Sequence, residues 1–153
     1  MNSAPWARSP QIRIPVAGLL AWFLPGAGHL FIGERVRGVI FLTTIAVTFW
    51  TGVAVGGVKN TVNPDERSLW FMGQICTGSH ALATWAWSRS LELPEGGDLR
   101  AYGRAEEVSI VYTAICGMLN ILVIFDVLVR AERQAVTLSE RGPPGKRRGG
   151  NLR

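Results

Sequence analysis

Residues 108–129 read VSIVYTAICGMLNILVIFDVLV, 22 residues with a single charged group, Asp126. At 1.5 Å per helical residue that run covers about 33 Å, roughly the hydrocarbon thickness of a bilayer. The uncharged 21 residues from Gly38 to Val58 cover about 31 Å on the same rule. Two shorter stretches, Ile14 to Leu24 and Leu69 to Trp87, also lack Lys, Arg and Glu.

The whole chain is 153 residues with mean hydropathy +0.20 and 48% hydrophobic residues, although both ends are polar. Its apolar content is therefore concentrated in these stretches. The expected fold is all-α, an integral membrane helical bundle of about four transmembrane segments at 14–32, 38–58, 69–87 and 108–129, the first broken at Pro25. A cytoplasmic segment, 1–13, precedes the bundle, and a basic, largely disordered cytoplasmic tail, 130–153, follows it. The third segment is the most polar, but Trp70 stands near one end and Trp85 and Trp87 at the other, where indole rings settle at the headgroup level. The first has 11 residues before Pro25 and reaches spanning length only if the helix resumes through Ile32. Arg8 and Arg13 ahead of it resemble a signal peptide, but Pro25-Gly26-Ala27 is a poor cleavage site.

Charge sets the expected orientation. With four crossings, 11 Lys and Arg fall on the side of both termini and 5 on the other. The positive-inside rule then places both termini in the cytoplasm of an inner-membrane protein. If the first segment does not cross, the tail's side still leads, 9 to 7. In the tail, Lys146, Arg147 and Arg148 suit anionic lipid headgroups. Nucleic acid is not expected, because no aromatic residues interleave this patch.

Helices in lipid associate through small residues and buried polar groups. Thr44, Thr48, Gly52 and Gly56 form an i+4 ridge, Gly73, Thr77 and Ala81 a second, and Thr113 and Gly117 part of a third. These predict either a compact bundle or a homo-oligomer through the Gly52 and Gly56 face, with a membrane partner subunit as a further possibility. Tyr112, Cys116 and Asn120 share a stripe at i, i+4 and i+8, with Asn120 expected to bond across helices. Asp126 precedes Arg130 by four residues, the spacing of an ion pair. Cys76 and Cys116 lie in apolar segments without C-x-x-C spacing and read as small filler.

The most distinctive local string is Pro25-Gly26-Ala27-Gly28-His29-Leu30-Phe31-Ile32-Gly33, followed by Glu34-Arg35-Val36-Arg37-Gly38. Pro25 has no N–H for the carbonyl four residues back, and glycines permit angles other residues resist, so a break is expected. His29 is placed to bond the freed backbone groups. A broken helix can also line an ion site, but that arrangement usually has a matching break in a second repeat, and no internal repeat is visible. The order of apolar segment, P-G-x-G-H-x-F-x-G, basic linker and second apolar segment resembles bacterial relatives of the two-transmembrane-helix domain family over about residues 14–58. That resemblance implies a tight helical hairpin with Pro25, Gly26, Gly28, His29, Phe31, Gly33 and Gly38 as its structural turn motif. The acid-Arg-Phe triplet of many animal members is replaced by Gly28-His29-Leu30. Tyr112-Thr113-Ala114, the run Gly117 to Asp126, and Arg130-Ala131 make most of the chain similar to an uncharacterised bacterial multipass family of unknown function.

Chemistry is thinly represented. The intramembrane polar candidates are Gln74, His80, Asn120 and Asp126. With His29, they offer too few ligands for a zinc site. Adjacent Ser79 and His80 project about 100° apart on a helix and cannot act as a dyad. No cofactor motif is present. The expectation is a non-catalytic scaffold or accessory subunit. A small channel or carrier using the intramembrane polar residues is the first alternative, and an intramembrane metal-dependent enzyme the second.

Overall fold

The computed structural model describes residues 9–61, 68–91 and 104–140. Among these the chain is entirely helical: α1 Pro10–Phe23, α2 Ala27–Ile32, α3 Arg35–Gly56, α4 Val58–Thr61, α5 Ser68–Ile75, α6 Ser79–Ser90 and α7 Arg104–Glu140. Two helices, α3 and α7, are long and apolar enough to cross a membrane by length and composition. The 37 residues of α7 reach about 55 Å. Residues 1–8, 62–67 and 92–103 and the basic tail beyond Glu140, with Lys146, Arg147 and Arg148, lie outside the described residues.

α3 and α7 lie antiparallel along their whole shared length. Near the start of α3, Glu34 Oε1 accepts from Arg130 Nη1 at 3.3 Å. At its far end, a Cβ on Gly56 would sit 2.2 Å from Ser109 Cβ. From Arg130 to Ser109 is about 31 Å along α7. These contacts depart from the expected arrangement of four end-to-end segments. Had the third segment run from one end of the bundle to the other, Glu34 would stand beside the Ser109 end of α7, whereas it stands beside Arg130.

The first segment instead turns back. α1 begins at that same end, where Arg13 Nη2 donates to Gln134 Oε1 at 2.9 Å, and climbs to Ala21, whose carbonyl meets Asn120. Pro25 removes one donor, Gly26 takes φ +86°, and α2 descends along α1. The chain returns to its starting end at Ile32, whose carbonyl accepts from Arg13. Ala17, Ala21, Ile32, Val127 and Ala131 form a buried cluster that holds this hairpin against α7. Gly28 lets the two arms meet, since a Cβ there would lie 2.3 Å from Ala17 O. α2 then closes at Gly33, φ +95°, with Glu34 N–H donating to His29 O at 2.8 Å, as in a Schellman turn.

The expected third span is also a hairpin, from the opposite end. α5 descends parallel to α7, with Gln74 reaching Thr113 and Gly73 facing Gly117. Its last turn tightens into i+3 bonds, Thr77 N–H to Gln74 O and Gly78 N–H to Ile75 O. Gly78 at φ +60° ends the descent, and α6 climbs back until Trp87 meets Trp50 at 6.5 Å. The expected ridge of Gly73, Thr77 and Ala81 is therefore cut, because Thr77 lies in the break rather than on a continuous helix face.

Gly52 and Gly56 pack inside the chain. A Cβ on Gly52 would approach Thr113 Cγ2 at 3.1 Å, so α7 occupies the face that had been left open to a homo-oligomer. Thr44 and Thr48 lie off this contact, and Thr48 spends its hydroxyl on Thr44 O. Gly117 sits tightest: a Cβ there would lie 1.8 Å from Gly73 O, whereas one on Gly73 would find its nearest neighbour at 3.5 Å. Gly117→Ala is expected to cost about 2 kcal/mol or more through backbone overpacking, and Gly73→Ala to be neutral or mildly stabilising. Thermal melts of the two variants in detergent check the contrast.

Candidate functional site: the junction of two opposed hairpins

The tips of both hairpins meet at the level of Asn120. A Cβ on Gly78 would come within 2.0 Å of Trp22 O and 2.8 Å of Phe23 O, so only glycine lets the second tip lie on the first tip's carbonyls. Asn120 is fully buried, and its Nδ2 donates to Ala21 O at 3.1 Å and to Cys76 O at 2.8 Å. Ala21 O is the acceptor that an N–H at residue 25 would have served in a continuous helix, and proline has none. Cys76 O opens the second break. One amide group thus serves a carbonyl at each tip, which is the cross-helix bond expected of Asn120, with backbone rather than side-chain partners. Its Oδ1 is buried without a partner.

The shared stripe with Tyr112 and Cys116 is only partly realised. Cys116 is buried against Ile45, Phe49 and Val53, but Tyr112 is 48% exposed. Four residues per step exceeds the helical repeat of 3.6, so the stripe drifts around α7 and its first member leaves the interface.

Below the junction, His29 Nε2 lies 3.0 Å from Asp126 Oδ2. The same oxygen accepts from Arg130 Nε at 2.8 Å, the expected i,i+4 pair. A carboxylate oxygen can only accept, so His29 carries its proton on Nε2 and donates. His29 was expected to bond freed backbone groups; it bonds Asp126 instead, because its side chain sits on α2's descending arm and points to α7. Its ring also packs on Phe41 at 5.0 Å. Glu34 completes the cluster by pairing with Arg130 and with Arg37 at 3.4 Å. Phe31 of the same motif is partly exposed and outside this contact.

Above the junction, His80 packs its ring on Phe49 at 5.8 Å and Trp50 at 6.5 Å. Gln74, also buried, donates to Thr61 O at 2.6 Å and to Thr113 Oγ1 at 2.7 Å, while Thr61 and Ser109 share a 2.7 Å bond. Among the described residues no group of three or more His, Cys, Asp and Glu side chains could hold a metal ion. His29 and Asp126 come together, and His80 stands on the other side of Asn120.

The site therefore holds two structural donors the sequence reading singled out, Asn120 and Gln74, and one pair, His29 with Asp126, that spacing could not join. Thr61, Thr84 and Ser109 were not among the candidates, Thr77 was expected only as a packing-ridge member, and all four are buried here. Their signal, small hydroxyls in apolar runs, was present but shared with many exposed threonines. An apolar groove of about 450 Å³ also opens between α3 and α7, lined by Phe41, Ile45, Leu119 and Val123, with Asp126 as its charged group.

A family model described as a family of unknown function, DUF6677, matches residues 16–138. The chain belongs to DUF6677. The match includes both hairpins and both long helices, and it agrees with the expectation of a family without an assigned activity. No curated protein and no solved structure matches. What defines this DUF6677 member at the level of chemistry is thus its own junction. Asn120→Leu is expected to leave both tip carbonyls without a donor and to cost about 2 kcal/mol, read as a lowered midpoint in detergent unfolding.

Proposed function

We propose that this protein is a multipass membrane protein and a non-catalytic membrane module, in which α3 and α7 cross the bilayer and the two hairpins each penetrate half of it. One observation carries the membrane reading: the molecule is inside out relative to a water-soluble bundle. Only 28% of the most apolar window of α3 and 44% of that of α7 is buried within the protein. Val36, Val47, Met118, Leu122 and Phe125 all point outward with more than half of their surface exposed, while His29, Gln74, Asn120 and four threonines are buried. Water penalises so large an apolar exterior, and lipid favours it.

Orientation follows from charge. In the hairpin arrangement the N-terminus, the turn at 33–37 and the end of α7 share one side, which receives 11 Lys and Arg against 5. The positive-inside rule places that side in the cytoplasm. On that side the charge of Lys146, Arg147 and Arg148 suits anionic lipid headgroups. The scaffold reading is favoured because most interior polar side chains bond to the chain itself, leaving the outer faces of α3 and α7 for lipid or a partner subunit.

Single-cysteine labelling with a membrane-impermeant maleimide, after replacing Cys76 and Cys116, tests the arrangement. Ser3→Cys, Arg37→Cys and Ser139→Cys are expected to react from the cytoplasmic side and Ser90→Cys from the other. Reaction of position 37 together with position 90 restores four crossings. For the scaffold reading, a discrete assembly larger than one 16.7 kDa chain is expected in mild detergent, and a uniform monomer overturns it.

A further inference from the structure

The two halves of this chain repeat one another upside down. In each half a helix enters to mid-depth, breaks at a glycine of positive φ, returns as a second helix, shorter than the first in one half and longer in the other, and is followed by a long crossing helix: α1, Gly26, α2 and α3 in the first, α5, Gly78, α6 and α7 in the second. Each returning helix carries a buried histidine in its first turn, His29 on α2 and His80 on α6, and both rings lie on phenylalanines of α3, Phe41 and Phe49. Phe41 and Phe49 are eight residues apart, about 12 Å along the helix, so the histidines stand on either side of the junction. Opposed broken helices meeting at the midplane are how many carriers and channels build a polar site in lipid.

We infer that the junction is the midpoint of a pathway for small monovalent cations, closed in the present conformation. This goes beyond the membrane-module reading and does not depend on the scaffold role. The argument rests on which hydrogen-bonding capacity remains unused. Asn120 spends both amide hydrogens on Ala21 O and Cys76 O, so its free atom, Oδ1, is an acceptor. Nδ1 of His29 and Nδ1 of His80 are likewise buried without a hydrogen-bond partner. Thr77 and Thr84 have already given their only hydroxyl hydrogens to Gln74 O and His80 O. The carbonyls of Trp22 and Phe23 face the tip of the other hairpin.

Asn120 Oδ1 is thus a free acceptor, and a neutral imidazole at His29 or His80 can present a lone pair at Nδ1 as well. A line of acceptors in a dry interior attracts cations and repels anions, as carbonyl-lined filters do. Along α7 the side-chain oxygens of Asp126, Asn120, Thr113 and Ser109 follow one another between the bundle's two ends; Asp126 is paired with Arg130 and the two hydroxyls are bonded to Gln74 and Thr61, and the free acceptor, Asn120 Oδ1, lies between them. Because these side chains are packed shut, passage requires the tips to part, and glycines at both breaks supply the hinges.

Full-length protein reconstituted in phosphatidylcholine and phosphatidylglycerol vesicles is tested for uptake of sodium, potassium and ammonium, with chloride as the anion control. Cation uptake at least ten-fold above empty vesicles, with chloride at background, is expected. His80→Phe keeps an aromatic ring between Phe49 and Trp50 and removes the ring nitrogens; it should lower uptake at least five-fold without moving the melting midpoint. Thr84→Val, nearly isosteric, provides a second variant and should lower uptake at least two-fold. Background uptake of all three cations, uptake of chloride alone, or wild-type uptake in both variants overturns the inference. Each of these failures leaves the labelling topology and the assembly size untouched, so the two readings are judged separately.

Discussion

A backbone carbonyl inside a dry bundle must have a donor, and the architecture follows from how two such carbonyls obtain one. Pro25 deprives Ala21 O of its helical partner, and the turn at Thr77 and Gly78 opens the helix behind Cys76 O. Asn120 supplies both bonds from one side chain. An unpaired carbonyl in such a setting costs more than a typical net hydrogen bond contributes, so the two breaks are tolerable only when brought to the same place on α7. That requirement ties two hairpins, separated by the whole of α3, to a single residue at the middle of the longest helix.

Close approach is the second condition. The tips touch because Gly78 has no side chain to strike Trp22 O, and α5 reaches α7 because Gly117 has none to strike Gly73 O. Gly52 and Gly56 do the same for α3 and α7. These glycines are consumed within the chain, which is why a motif that could equally have marked a dimer face marks an internal seam. Outside the seam, large apolar side chains point outward, and among the described residues a cluster of charge, Glu34, Arg37, Asp126 and Arg130, gathers at one end. Polar inside and apolar outside is the pattern lipid selects, since it has no hydrogen bonds to offer the groups turned inward.

Much of this was legible in one dimension. The lengths of the two long apolar helices, the break at Pro25, the pairing of Asp126 with Arg130 and the inward role of Asn120 all follow from local rules of rise, donor loss and helical spacing. The second break was not legible, because Cys-Thr-Gly-Ser-His carries no proline and its small residues fit a packing ridge equally well. Nor could spacing join His29 to Asp126, 97 residues away, or Arg130 to Glu34, 96 away.

The direction of each half-helix was decided only in three dimensions. Nineteen apolar residues suffice for a crossing, and hydropathy is the same whether a helix continues past its break or folds back. The choice depends on whether the freed carbonyls find a donor ahead of them or beside them, and Asn120 offers one beside them. The amino-acid sequence thus determined which segments are apolar, where the first helix must break and which end is basic. Tertiary structure decided that the two broken segments are opposed hairpins, because one buried amide satisfies a carbonyl at each break and two glycines let the tips close on it.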